Sequence, residues 1–175
     1  LNALGEETTL FPGHMALGAT GDAQLSRQVG QAMGRELAAL GINGNYAPNC
    51  DINTNPHNPA CGARAFGDDP ELAATLATAF VDGMQAEGVA ATIKHFPGKG
   101  EAKVDSHYAM PLIAHSRARL MQKELRPFQA SIAAGAKLVM TGHFAIPALT
   151  NSTELPATLS RKVMRDFVRD ELGFE

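Results

Sequence analysis

The 175-residue sequence predicts an α/β domain of three parallel strands and four helices. Two observations carry this. Four stretches repeat apolar residues at spacings of three and four, and each runs into a glycine: Gly41, Gly88, Gly135 and Gly173. A short apolar segment follows each of the first three glycines and ends in polar side chains. Helices alternating with strands in this way connect parallel strands through right-handed crossovers.

Residues 1–22 read as a loop. The first helix is expected over 22–40, capped by Asp22, with Leu25, Val29, Met33, Leu37 and Leu40 on one stripe. The first strand, 42–52, carries Asn49 and Asp51 towards its end. Asp69 caps the second helix, 70–87, and Pro70 takes the first helical position, where a missing N–H costs nothing. Its stripe is Leu72, Leu76, Phe80 and Met84. The second strand, 89–96, ends in Lys94 and His95. A third helix, 117–134, presents Met121, Leu125, Phe128 and Ile132, and a third strand, 137–144, reaches His143. The fourth helix, 159–172, carries Leu159, Val163, Phe167 and Leu172. Glycine suits the helix ends because it adopts the left-handed conformation that terminates them.

The unit length adds a functional hint. Gly41 to Gly88 and Gly88 to Gly135 are each 47 residues apart, whereas a bare strand–helix unit needs only about 30. The surplus falls in 53–68, 97–115 and 145–157, after the strands. In parallel α/β folds, loops at the carboxyl ends of strands carry function.

Composition narrows the classes. With 45% hydrophobic and 19% charged residues, the chain is globular and not disordered. A net charge of −3 argues against nucleic acid or an anionic membrane as the main partner. No apolar run approaches the roughly 18–20 residues that span a bilayer. No signal peptide is visible, so the compartment stays open. Cys50 and Cys61 are the only cysteines and are expected to be free thiols.

Three segments carry chemistry. Lys94-His95-Phe96-Pro97-Gly98-Lys99-Gly100 ends a strand and opens a glycine-rich loop, where Pro97 and Gly98 allow Lys94 and His95 to reach one pocket. The alternative is a Lys at a helix dipole and a His satisfied in the core. In Asp105-Ser106-His107, residues two apart face the same way in an extended loop. The carboxylate can then fix one imidazole nitrogen and leave the other for general acid/base work. Arg64, between a strand and a helix, suits sugar hydroxyls or a carboxylate, or else staples its loop to Asp68 or Asp69. His95, Asp105, His107 and His143 could alternatively ligate a metal in a metal-dependent hydrolase. A non-catalytic sugar-binding protein is a third reading.

FPGHMALGAT, APN-DIN, GARAFGDDP, KHFPGKGEAKVDSH, VMTGHF and LPATLSRKVMRDFVRDELGFE together resemble glycoside hydrolase family 3, in its bacterial β-N-acetylglucosaminidase branch. The resemblance runs through nearly all of residues 1–175 and implies part of the family's N-terminal (β/α)₈ barrel domain, not closed within this chain. It implies a retaining mechanism, with His107 as general acid/base and Asp105 as its partner. Arg64, Lys94 and His95 would bind the sugar of an N-acetylglucosamine-containing glycan or peptidoglycan fragment. No cofactor and no metal are implied. Sibling branches act on β-glucosides and β-xylosides, and the sugar assignment rests on the Asp-Ser-His element. The family's nucleophilic aspartate is expected beyond Glu175 and a sugar-binding D-x-E-G-G strand before Leu1. The chain alone is therefore expected to be inactive unless another carboxylate, such as Asp51, serves as nucleophile. Position 99 is Lys where the family more often has His or Asp.

Overall fold

The computed structural model describes residues 8–175. Residues 1–7 of the expected opening loop lie outside the described residues. The rest of that segment is not all loop, because His14–Thr20 forms a helix, α1. The elements that follow are α2 (Ala23–Ala39), β1 (Gly44–Asn45), α3 (Pro70–Gln85), β2 (Ala90–Phe96), α4 (Arg117–Gln122), α5 (Arg126–Ala133), β3 (Leu138–Thr141), α6 (Pro147–Thr150) and α7 (Lys162–Glu171). The sheet order is β1-β2-β3 and both pairings are parallel, as expected.

β1 is much shorter than the expected 42–52. Pro48 has no N–H for the ladder, so regular pairing stops after Asn45. The chain nevertheless stays against β2: Thr92 N–H donates to Ala47 O at 2.9 Å, and Cys50 N–H donates to Lys94 O at 2.6 Å. The polar end of the expected strand therefore still reaches the end of β2.

The helix caps are as read. Asp22 accepts from Leu25 N–H at 3.0 Å and Asp69 from Leu72 N–H at 2.8 Å. Gly41, Gly88, Gly135 and Gly173 all have φ between 73° and 86°.

Three stripes need correction. On α2, Leu25 (37% exposed) and Leu40 (56%) face solvent, and the buried face is Ser26, Gly30, Gly34 and Leu37. The reason is a close crossing of α2 and α3. A Cβ on Gly83 of α3 would lie against the Arg27 carbonyl, and one on Gly30 against the Phe80 carbonyl, both inside the 3.0 Å that real Cβ atoms do not enter. The expected third helix is broken at Lys123–Leu125. Pro127 lacks an N–H and would crowd the preceding turn, so it is tolerated only in the first turn of a new helix, α5. In the fourth, Leu159 lies outside the helix in a short 3₁₀ turn and is exposed. α7 is wound with i→i+5 bonds, such as Leu172 N–H to Phe167 O at 2.9 Å, and buries Val163, Phe167 and Val168.

The core lies between sheet and helices. Leu76, Phe80 and Met84 of α3, Ile93 and Phe96 of β2, and Leu125 and Phe128 are fully buried, each contributing about 1.5–3 kcal/mol of transfer free energy. Phe96 meets Phe128 edge-on at 5.4 Å between ring centroids. This fixes the carboxyl end of β2, from which the loop 97–116 departs.

Candidate active site

Asp51 sits beneath the ends of β1 and β2 with no exposed surface. Its Oδ1 accepts from Lys99 N–H at 2.9 Å and His95 N–H at 3.3 Å. Its Oδ2 pairs with His95 Nδ1 at 2.8 Å and accepts from Cys61 Sγ at 3.4 Å. Burial pushes the carboxyl up. The His95 hydrogen bond and charge, with the Lys99 N–H and charge, outweigh it and hold Asp51 below the ordinary value. Both oxygens are occupied inside the protein, so Asp51 is not open to attack a sugar carbon.

The clamp sets how two neighbouring side chains lie at the end of β2. β2 pairs Lys94 with Met140 and Phe96 with Thr141, skipping His95. An extra residue of this kind re-aims its side chain. The ring of His95 turns onto Asp51, while Lys94 stays half-buried beside it. The Lys94–His95, Phe96–Pro97 and Ala47–Pro48 peptides are cis. Burial, Arg64 and Lys99 lower the Lys94 ammonium pKa, against the Asp51 charge, which raises it.

Arg64 ends a 3₁₀ turn, Gly62–Arg64, on the loop after β1. It is exposed, and its Nη2 donates to the Ala60 carbonyl. Among the described residues it makes no ion pair with Asp68 or Asp69, so the loop-stapling alternative does not apply. Arg64 and Lys94 are close enough for their charges to act on one another.

His14 was not singled out from the sequence, yet it belongs to this group. It opens α1, and its Nδ1–H donates to the Arg64 carbonyl at 3.0 Å. Its ring stacks on Phe66 at 4.6 Å and meets Phe80 edge-on at 5.0 Å. Burial, the largest cause, drives its pKa down to about 4; the Arg64 carbonyl opposes this and the Lys94 charge adds to it. A neutral ring thus supports the Arg64 backbone beside the Lys94 ammonium. The one available signal was a histidine in a Pro-Gly-His-Met segment.

Asp105 and His107 form their own unit on the loop after β2. Asp105 Oδ1 meets His107 Nδ1 at 2.7 Å and accepts His107 N–H at 3.1 Å. These two bonds and the His107 charge lower the Asp105 pKa against the small effect of burial, and the Lys99 charge assists. The His107 side chain is 82% exposed and that of Asp105 only 19%. The carboxylate is sheltered and the far side of the imidazole faces outward.

The alternative metal ligands are dispersed. His95 is held by Asp51, Asp105 by His107, and His143 Nδ1 by Thr158 Oγ1 at 2.8 Å. Cys50 and Cys61 are free, buried thiols, with their pKa values raised by burial and the Asp51 charge. A cleft of about 520 Å³ follows the dyad's loop and is lined by Glu101, Val104, Met110, Leu112 and His115.

The chain is similar to known proteins along nearly its whole length. The chain is 39% identical over 183 residues to "Beta-hexosaminidase A" of Pseudoalteromonas piscicida, covering 97% of this chain and 31% of that protein. It is 36% identical to "Beta-N-acetylglucosaminidase/beta-glucosidase" of Cellulomonas fimi, with the same coverage of each. The chain therefore spans about a third of the length of these relatives. Among solved structures, a glycoside hydrolase family 3 β-N-acetylglucosaminidase from Paenibacillus sp. str. FPU-7 superposes with a TM-score of 0.93 at 51% identity, over 95% of this chain and 32% of that one. NagZ from Neisseria gonorrhoeae, in complex with N-trifluoroacetyl-D-glucosamine, gives 0.89 at 31% identity, over 97% and 50%. The open three-stranded sheet is accordingly a portion of a TIM-barrel-like α/β fold. Residues 1–175 match the model of the glycosyl hydrolase family 3 N-terminal domain, and the chain belongs to that family of glycosidases.

Proposed function

We propose that this domain supplies the acid/base and part of the sugar-binding shell of a retaining exo-β-N-acetylglucosaminidase. The observation that carries the reading is the 2.7 Å bond from Asp105 to His107 Nδ1 beside a largely exposed imidazole. The carboxylate fixes the tautomer with the proton on Nδ1, which leaves Nε2 to exchange protons with substrate. Protonated at Nε2, His107 delivers that proton to the departing glycosidic oxygen as the bond to the anomeric carbon breaks. Deprotonated, it takes a proton from the water that releases the sugar. Asp105 stabilises the imidazolium that precedes the first step and is restored by the second.

Arg64, Lys94 and the Asp51-anchored His95 present donors to the hydroxyls of the terminal sugar. A retaining mechanism also needs a carboxylate to attack the anomeric carbon. Asp51 cannot supply it, because its oxygens are spent on His95, Lys99 and Cys61. The sugar is assigned to N-acetylglucosamine because the relatives and solved structures bearing that name match nearly the whole chain.

The test is kcat/KM across leaving groups of different pKa, in an active polypeptide containing this chain. His107→Ala is expected to lose about 10²–10⁴-fold on alkyl or sugar leaving groups, which need protonation, and much less on 4-nitrophenol. Asp105→Asn gives a milder loss of the same kind. Lys94→Ala and Arg64→Ala weaken all substrates alike. An equal loss for His107→Ala on every leaving group rules out the acid/base role.

A further inference from the structure

The loop that carries Asp105 and His107 is held at its stem. Residues 103 and 104 and residues 107–110 are exposed, Tyr108 to 89%, so packing does not fix this stretch. The hydrogen bonds of Asp105 among the described residues stay inside the loop, running to His107, Tyr108 and Ala109. Burial resumes at both ends, at Ala102 and at Pro111 and Ile113. Pro111 and Ile113 are tied to Ala145 by two backbone bonds of 2.9 Å.

Four ionisable side chains join these ends. Glu101 enters from the start of the loop, His115 from its finish, Arg119 from α4, and Glu124 from the break between α4 and α5. Glu101 Oε2 lies 2.7 Å from His115 Nε2 and accepts from Arg119 Nη2 at 2.9 Å. Arg119 also donates to Glu124 Oε1, from Nη2 at 3.2 Å and Nε at 3.3 Å. Glu124 is 1% exposed, so a carboxylate with almost no access to water anchors the group to the helices. Thr54 Oγ1 donates to Glu101 at 3.3 Å, and Asn55 Nδ2 to Ala102 O at 3.3 Å, from the loop after β1.

We propose that Glu101, His115, Arg119 and Glu124 form a clasp that closes the stem of this loop and thereby positions the Asp105–His107 pair. Glu101 and His115 are positioning residues that act on the reaction through the loop they close. The inference rests on the acid/base reading for its catalytic meaning, but the clasp itself can be tested without activity. The same donors invite a metal reading, since single ligand atoms of Glu101, His115 and Glu124 lie within 4.8 Å of one another. The Arg119 guanidinium already supplies the cation that both carboxylates need.

The first measurement is amide hydrogen exchange on the chain itself. Glu101→Gln, and independently His115→Gln, are expected to speed exchange of residues 103–110 by about 10-fold or more while α3 and β2 keep their protection. Glu101→Asp, which keeps the charge, should recover part of the effect. The second is kcat/KM in an active polypeptide containing the chain. Glu101→Gln should reproduce the His107→Ala leaving-group dependence in weaker form, about 10-fold on alkyl glycosides and near unity on 4-nitrophenyl, with KM unchanged.

Unchanged loop exchange in both variants overturns the clasp. So does micromolar zinc binding that is lost in His115→Gln, which would make the cluster a metal site. A flat leaving-group profile for His107→Ala sinks the acid/base reading, and the exchange result still decides the clasp.

Discussion

Replacing Asp51 tests whether the site is assembled on one buried carboxylate. Asp51→Ala removes the acceptor for the backbone N–H groups of Lys99 and His95, for His95 Nδ1 and for the Cys61 thiol. Among the described residues those donors have no other hydrogen-bond partner, and each buried polar group left unsatisfied costs about 1–3 kcal/mol. Asp51→Asn keeps the shape and one acceptor oxygen but loses the charge that the His95 bond relies on, about 1.5–3 kcal/mol. Domains of this size have about 5–15 kcal/mol in total, so the alanine variant gives up a large share. The assay is urea unfolding followed by circular dichroism, because the chain has no tryptophan to report. The pH dependence has a definite sign. The folded pKa of Asp51 is depressed, so its contribution is present above the unfolded value of about 3.9 and is lost as pH falls through the folded value. The asparagine variant should lack that part of the acid limb. An alanine variant within 1 kcal/mol of the parent, or equal losses for Asn and Ala, would refute the clamp.

Two further outcomes follow from the same structure. Gly83→Ala gains about 1 kcal/mol of helix propensity but drives a methyl into the Arg27 carbonyl, so a net loss of about 1–3 kcal/mol is expected; a variant as stable as the parent contradicts the close crossing. His14, with its pKa lowered to about 4, should remain neutral by NMR titration down to pH 5. Because the unfolded ring binds its proton first, near pH 6.5, His14 withdraws stability progressively as pH falls from there towards 4; a titration midpoint above 6 rejects the buried, Arg64-bound ring.

Much of this was legible in the sequence because it is local. Caps, terminal glycines and the Asp105–His107 pair need only residues two or three positions apart, and backbone geometry does the rest. What was not legible depends on contacts across the chain. Periodicity assigned Leu25 and Leu40 inward because it counts apolar bulk, while a face of Ser26, Gly30 and Gly34 has no bulk to count. The break before α5 was signalled by Pro127 and was overridden by the stripe around it. His14 reaches Arg64 fifty positions later, and Asp51 reaches Lys99 forty-eight positions later. No spacing rule joins such pairs. The clasp combines residues 101, 115, 119 and 124, of which only 115 and 119 are four positions apart, and His115 lies before α4 begins.

The crossing of α2 and α3 also bears on how this domain can be altered. The end of α2 that a designer would protect is open to change: Lys or Glu at Leu40, which is 56% exposed, would remove exposed apolar surface. The side that looks blank allows no addition, since even a methyl at Gly30 or Gly34 meets α3. Apart from the buried Leu37, the small residues of this helix tolerate change less than its exposed leucine does. A library built to vary the small residues and keep the large ones would discard most folded variants of this domain.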